Sequence, residues 1–204
     1  MIVAVEGMDG VGKTTIAHYL SEKYGFLFID KPIKYLFGKN NEEVSEDLET
    51  ILNVIYDYDD PIIKTWFFAL GNLMGVRNFP NQDIIIDRHF ISNYFWNSDD
   101  NCQSIYNALF DIIGKPDLTL ILYADAETRI SRIKSRDIND PDLLDMEKYQ
   151  DGFEKMMEFV QNNDMPYEVV DTSGLTIEEV QSNVDGVMEK LLAMKESKNK
   201  VKKK

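Results

Sequence analysis

Gly7-Met8-Asp9-Gly10-Val11-Gly12-Lys13-Thr14-Thr15 fills every fixed position of the pattern G-x-x-x-x-G-K-[ST]. Before it, Met1-Ile2-Val3-Ala4-Val5 reads as a short buried strand, and after it Thr14 to Lys23 carries apolar residues at helical spacing. A strand, a glycine loop and a helix in that order form the context in which the pattern grips a nucleoside triphosphate. Gly7, Gly10 and Gly12 let the backbone turn tightly. The N–H groups around them, with those of Asp9, Val11 and Thr15, then converge on phosphate oxygens at a helix N-terminus. Lys13 reaches the β- and γ-phosphates in this reading. The Thr14 hydroxyl becomes a ligand of Mg²⁺, a cation that shares such a site between one hydroxyl, waters and phosphates. A chance glycine turn is the bland alternative, and the strand before and helix after argue against it.

The composition narrows what surrounds this loop. A chain of 204 residues with 44% apolar residues supports one core, expected as a single domain over residues 1–194. No apolar stretch approaches the roughly 18 residues that cross a bilayer, and the chain opens on a strand with no charged n-region. A soluble, cytoplasmic protein without a membrane partner is therefore expected. Cys102 is the only cysteine, which excludes an internal disulfide and a thiolate zinc cluster. The net charge is −14, yet six lysines against Glu196 make the last ten residues +5 and leave −19 on the rest. Such an acidic body lacks the basic footprint of a protein that wraps nucleic acid. Residues 195–204 have too few apolar side chains to pack and are expected to be disordered.

Five apolar runs, at 2–6, 26–30, 83–87, 118–123 and 167–171, read as buried strands because they are rich in β-branched residues and do not alternate cleanly. Helical patterns lie between them near 13–23, 42–56, 61–77, 89–112, 126–136, 142–163 and 176–194, with Asp125 as a cap and a start near Pro141. Strands that alternate with helices imply right-handed crossovers and a three-layer α/β sandwich around a parallel sheet. Ligands in such sheets bind beyond the carboxyl ends of the strands. There, Ile84-Ile85-Ile86-Asp87-Arg88 ends a buried run with an acid placed to hold Mg²⁺ opposite Thr14. Arg88 follows it, shaped for a bidentate phosphate contact.

At these residues the chain resembles the thymidylate kinases. Glu6 to Thr15 is similar to their loop EGxDGxGKTT, and Asp87-Arg88-His89-Phe90-Ile91-Ser92 resembles their DR-[YH]-x-x-S stretch. Lys115 to Leu120, followed by Glu127, Arg132-Ile133 and Arg136, resembles their PDLTLxL strand and the ERIxxR helix after it. The resemblance implies a P-loop fold with strand order 2-3-1-4-5, a homodimer, and transfer of the γ-phosphoryl group of ATP, with Mg²⁺, to a deoxynucleoside monophosphate such as dTMP. It implies that Asp9 meets the acceptor's 3′-hydroxyl and Phe68 stacks on its base. Trp96 and Asn97 then stand near that base, with Ser92 and Arg88 also on the acceptor.

Three departures accompany the resemblance. Asp30-Lys31-Pro32 stands where the family carries arginine, glutamate and proline, which leaves the acceptor phosphate to Lys31 or Arg88. Asn72 replaces the arginine that the resemblance implies for the thymine 4-oxo group. Neither the loop, with Val11, nor residues 137–150 contain the family's catalytic arginine, so Arg88, Arg132 and Arg136 are left to neutralise the transferring phosphoryl group, beside Lys13. A deoxynucleoside kinase that uses Asp30 as a base on a 5′-hydroxyl is the runner-up. A nucleotide-dependent switch without an acceptor, and a degenerate member that binds but catalyses poorly, complete the alternatives.

Overall fold

Five strands stand side by side, all parallel, in the order β2-β3-β1-β4-β5: β1 (Ile2–Gly7), β2 (Leu27–Asp30), β3 (Ile84–Asp87), β4 (Leu118–Tyr123) and β5 (Tyr167–Asp171). The computed structural model describes residues 1–36, 46–140, 143 and 151–202. Around the sheet lie α1 (Lys13–Tyr24), α2 (Glu46–Tyr56), α3 (Pro61–Arg77), α4 (Phe90–Asn97), α5 (Gln103–Ile113), α6 (Ala126–Arg136), α7 (Gly152–Asn162) and α8 (Ile177–Lys202). Short 3₁₀ turns occupy Pro32–Leu36 and Asp100–Cys102. This is the three-layer α/β sandwich, with the strand order expected for a P-loop kinase.

Alternation along β3 shows why its isoleucine run is continuous. Ile85 packs into the larger core with Val3, Val5 and Leu120, whereas Ile84 and Ile86 pack on the opposite face with Ile29 and Tyr35. Burying each such side chain contributes roughly 1.5–3 kcal/mol. β5 is the exception, an edge strand in which only Val170 is buried.

Side-chain caps place the starts of α3 and α6. Asp60 accepts from the Ile62 N–H at 2.8 Å ahead of Pro61, and Asp125 accepts from the Thr128 N–H at 2.7 Å. Gly71 of α3 faces the backbone of Ile33, where an added Cβ would come within 2.8 Å of the Ile33 Cα. That close approach seats the 3₁₀ turn of Pro32–Leu36 against α3 and brings Lys31 to the carboxyl edge of the sheet.

The chain departs from the expected elements in two places. The helix expected over 89–112 is broken: Ser98 is extended, and Asp99 accepts from the Asn101 N–H at 2.9 Å. Asp and Ser side chains that bond their own backbone compete with helical hydrogen bonds, and the chain restarts as α5. At the other end, α8 runs through Lys202, past the expected helix end at 194, in keeping with the good helix propensity of a Lys- and Glu-rich segment. The expected helix start near Pro141, and residues 42–45 and 144–150 of two expected helices, lie outside the described residues.

Candidate active site

The glycine loop turns from β1 into α1 with Gly12 in the left-handed conformation at the helix start, φ 96°, and no side chain capping the first turn. Those N–H groups are left to face a ligand, and the helix dipole favours an anion there. Gly7 has φ 140°, and a Cβ on it would lie 2.3 Å from the Leu122 carbonyl oxygen, so the loop is pressed onto β4.

Lys13 is buried, and its Nζ donates to the Met8 carbonyl at 2.8 Å and lies 3.4 Å from Asp9 Oδ1. Burial, helped by the neighbouring Arg88 charge, pushes the Lys13 ammonium down to about 8, against the opposing pull of Asp9, Asp87 and Glu6. Arg88 donates from Nη2 to the same Asp9 oxygen. Burial alone would raise the Asp9 carboxyl, but the Lys13 and Arg88 charges hold it below the ordinary carboxylate range. Arg88 adopts φ 70°, a strained backbone for a bulky residue, and its N–H donates to the Val5 carbonyl at 3.1 Å. One carboxylate oxygen thus holds two cations at the centre of the site.

Asp87 ends β3 beside it. Thr14 Oγ1 donates to Asp87 Oδ2 at 2.5 Å, and Asp87 Oδ1 is buried with no partner among the described residues. A hydroxyl paired with a carboxylate that keeps one orphaned oxygen fits Mg²⁺, which takes few protein ligands and relies on phosphates and waters. No cluster of three or more metal-ligating His, Cys, Asp or Glu exists among the described residues.

Glu6 performs a task not foreseen from the sequence. Fully buried, it accepts from the N–H groups of His89 at 2.7 Å, Ile91 at 3.1 Å and Ser92 at 3.3 Å, and from the Ser92 hydroxyl. It caps α4 from another strand, because His89 at the N-cap position supplies no side-chain cap of its own. Burial raises the Glu6 carboxyl and these hydrogen bonds oppose that rise. The direction of α4 is set this way, and Ser92 directs its hydroxyl to Glu6.

Two cavities flank the cluster of Lys13, Asp9 and Arg88. The first, of about 460 Å³, lies between the strand ends and helices α3 and α4, and it gathers Asp9, Lys31, Phe68, Asn72, Arg88, Ser92, Trp96 and Asn97. All eight were expected on the acceptor side. Tyr56, Lys64, His89 and Asn93 also line it and were missed. Asn93, one turn before Asn97, was within reach of a periodicity argument. Tyr56 belongs to a different helix and left no local signal. His89 is buried with neither ring nitrogen partnered among the described residues, and burial pushes it down to about 3, so the imidazole is neutral.

The second cavity, of about 390 Å³, runs along the loop from Gly10 to Thr15 and is closed by Arg132, Arg136, Thr172 and the apolar side chains of Leu175, Ile177 and Val180. Arg132 Nη1 donates to Thr172 Oγ1 at 2.9 Å and Nη2 to the Thr172 carbonyl at 2.8 Å, with the Gly10 and Val11 carbonyls at 3.5 and 3.4 Å from Nη1. Arg136 pairs with Asp140. These two arginines stand apart from the first cavity. Arg129, unforeseen, donates to the Asp9 carbonyl at 2.8 Å and braces the loop. Asp30 does not line either cavity and is paired with Lys34.

Comparison with known proteins agrees with this fold. The family model described as thymidylate kinase matches residues 5–184. A probable thymidylate kinase of Archaeoglobus fulgidus is 30% identical over 207 residues, covering 98% of this chain and all of that protein. Among solved structures, the thymidylate kinase of Candida albicans superposes with a TM-score of 0.67 at 18% identity, over 93% of this chain and 91% of that one. The deoxyadenosine kinase of M. mycoides with bound dCTP gives 0.60 at 22% identity, over 93% and 100%. A loop built for phosphates, a carboxylate–hydroxyl pair suited to Mg²⁺ and a family match over nearly the whole length lead to one conclusion: the chain belongs to the thymidylate kinase family, phosphotransferases of the nucleoside monophosphate kinase kind.

Proposed function

We propose that this protein transfers the γ-phosphoryl group of ATP to a deoxynucleoside 5′-monophosphate, with dTMP the acceptor that family membership first suggests. The observation that carries the reading is the pair of cavities on either side of Asp9, one along the phosphate loop and one lined by Phe68, Asn72 and Arg88. The loop amides and Lys13 hold the donor's β- and γ-phosphates. Thr14 and Asp87 would hold Mg²⁺, which would supply neutralising charge to the donor phosphates when bound. Phe68 stacks on the acceptor base, Asp9 meets the sugar 3′-hydroxyl, and Lys31 and Arg88 hold the acceptor phosphate.

A phosphate oxygen of the acceptor bonds to the γ-phosphorus as the bond from that phosphorus to the bridging β,γ-oxygen breaks, and ADP leaves with the electron pair. The acceptor phosphate is already anionic at neutral pH, so no general base is needed. Charge spreads over the γ-oxygens in the loose transition state, and guanidinium groups stabilise it. Arg88, which lines the first cavity beside Asp9, contributes from the acceptor side. Arg132 and Arg136 contribute from the donor side.

The rival reading needs Asp30 as a base on a nucleoside 5′-hydroxyl. Its pairing with Lys34, outside the cavity lining, favours the phosphate acceptor. Exposed Ile62, Ile63, Trp66 and Leu70 on α3 support a homodimer built on that helix. No helix among the described residues is long and apolar enough to cross a membrane, in keeping with the proposed cytoplasmic location.

A coupled ADP-release screen of deoxynucleosides and their monophosphates, with ATP and Mg²⁺, tests the proposal. Monophosphates are expected to be the substrates. ADP release with nucleosides alone would establish the rival, and release without any acceptor would sink both.

A further inference from the structure

The chain is short of an arginine for the transferring phosphoryl group, and α6 carries one at a position outside the motifs that bear the family resemblance. Arg129 is 8% exposed, and its Nε donates to the Asp9 carbonyl at 2.8 Å. Its backbone is pressed onto the phosphate loop: a Cβ on Gly10 would come within 2.9 Å of the Arg129 carbonyl oxygen and 3.1 Å of its Cα. Asp9 lines the first cavity and Gly10 the second, so Arg129 is fastened to the partition between them. Neither of its Nη nitrogens meets an acceptor among the described residues. The other arginines around the loop are engaged: Arg88 Nη2 holds Asp9, Arg132 gives both Nη to Thr172, and Arg136 Nη2 pairs with Asp140. Three cations thus gather at Asp9, with Lys13 and Arg88 on its carboxylate and Arg129 on its carbonyl. One carboxylate does not balance them. Burial draws the Arg129 guanidinium below its ordinary value against the pull of Asp9 and Tyr123, yet a guanidinium keeps its proton. Buried positive charge with open donors is costly by itself, and an anion relieves it.

We propose that the open fork of Arg129 binds the phosphoryl group in transit, in place of the loop and lid arginines that this chain lacks. This rests on the reading that the loop holds the donor triphosphate beside the acceptor cavity. As an acceptor phosphate oxygen bonds to the γ-phosphorus and the bond to the bridging β,γ-oxygen breaks, charge spreads over the γ-oxygens. Nε stays on the Asp9 carbonyl and so orients the guanidinium plane. The two Nη donate to those oxygens, and no proton leaves Arg129. A planar fork meets two phosphate oxygens at once, which an ammonium does not. The phosphoryl group leaves ADP for the acceptor across the partition, so a donor fastened there binds it more strongly in transit than in the ground state.

Arg129→Gln separates the brace from the fork. Glutamine Nε2 lies as many bonds from Cα as arginine Nε, so the variant keeps a donor for the Asp9 carbonyl and loses the two Nη. With ATP, Mg²⁺ and dTMP, or the acceptor that the ADP-release screen ranks first, kcat of the full chain is expected to fall about a hundredfold or more. Both KM values should stay within about threefold, the mark of an interaction made only in the transition state. Calorimetry with ADP, the same acceptor and aluminium fluoride, a mimic of the phosphoryl group in transit, should show a comparable loss of affinity while ADP alone binds as before. A folded Arg129→Gln with near-normal kcat, or with unchanged affinity for the aluminium fluoride complex, would overturn the inference and leave the kinase reading standing. So would a raised KM for ATP with kcat intact. Should Arg129→Gln not fold, Arg129→Lys decides: kcat is expected to fall about tenfold or more, and full turnover would overturn the inference. A wild-type chain that phosphorylates no acceptor would bring down the kinase reading and this inference with it.

Discussion

Thr14 donates its hydroxyl to Asp87 Oδ2 at 2.5 Å, joining the first turn of α1 to the end of β3 across 73 positions of sequence. The pair is the site proposed above for Mg²⁺, and Asp87 Oδ1 has no partner among the described residues. Asp87→Asn keeps the shape and an oxygen but removes the charge. Turnover should fall by about a hundredfold or more, with a raised Mg²⁺ requirement and an unchanged fold. A magnesium titration of activity checks this, and an unaltered half-saturation would remove Asp87 from the metal site.

Lys13 carries a pH signature. Its folded pKa of about 8 lies below the ordinary 10.5, so below pH 8 the folded state bears the full cost of a buried ammonium. Between pH 8 and 10.5 the folded lysine sheds its proton while the unfolded one keeps it, and that cost is relieved as pH rises. The unfolding free energy of wild type relative to Lys13→Met should therefore rise across this window. Triphosphate binding should restore the proton, so calorimetry at pH 8.5 in buffers of different ionisation enthalpy should detect proton uptake. Lys13→Ala should lose turnover by orders of magnitude with the fold intact.

His89 acts with the same sign in an acid window. The imidazole is held neutral down to about pH 3, whereas an unfolded histidine protonates near 6.5. The unfolded state binds the extra proton between these values, so stability falls as pH drops below 6.5, by up to about 1.4 kcal/mol per pH unit from this group. Urea titrations of wild type and His89→Asn at pH 7 and 5 should show the steeper loss in wild type.

Phe68 lies half-buried in the wall of the first cavity, its ring 5.9 Å from that of Tyr56. A base stacked on an aromatic ring contributes roughly 1–3 kcal/mol. Phe68→Ala should raise the acceptor KM about ten- to a hundredfold with little change in that of ATP. Equal effects on both would place Phe68 in the scaffold only.

Asn72→Arg introduces a charged donor into the wall of the first cavity. A charged hydrogen bond to the 4-oxo group contributes about 1.5–3 kcal/mol, so the variant should move discrimination toward dTMP on the order of tenfold or more. An unchanged ranking of acceptors would show that Asn72 does not meet the base edge.

The phosphate loop was legible from the chain alone, because its chemistry lies in one contiguous stretch and Gly7, Gly10 and Gly12 are needed wherever a backbone wraps a phosphate. The strands were legible too: continuous apolar runs of β-branched residues suit few environments besides a parallel sheet covered on both faces. Family resemblance supplied the strand order, which no local pattern encodes. Only the tertiary structure decided the rest. Whether Arg88 or Arg132 faces the first cavity depends on where α4 and α6 leave the sheet. The Glu6 cap joins residues more than 80 positions apart. The Asn93 amide takes its direction from the Thr65 carbonyl, a backbone atom 28 positions before it. Short-range periodicity reports which face of an element is buried, but a polar side chain's role is set by the partner that folding brings to it.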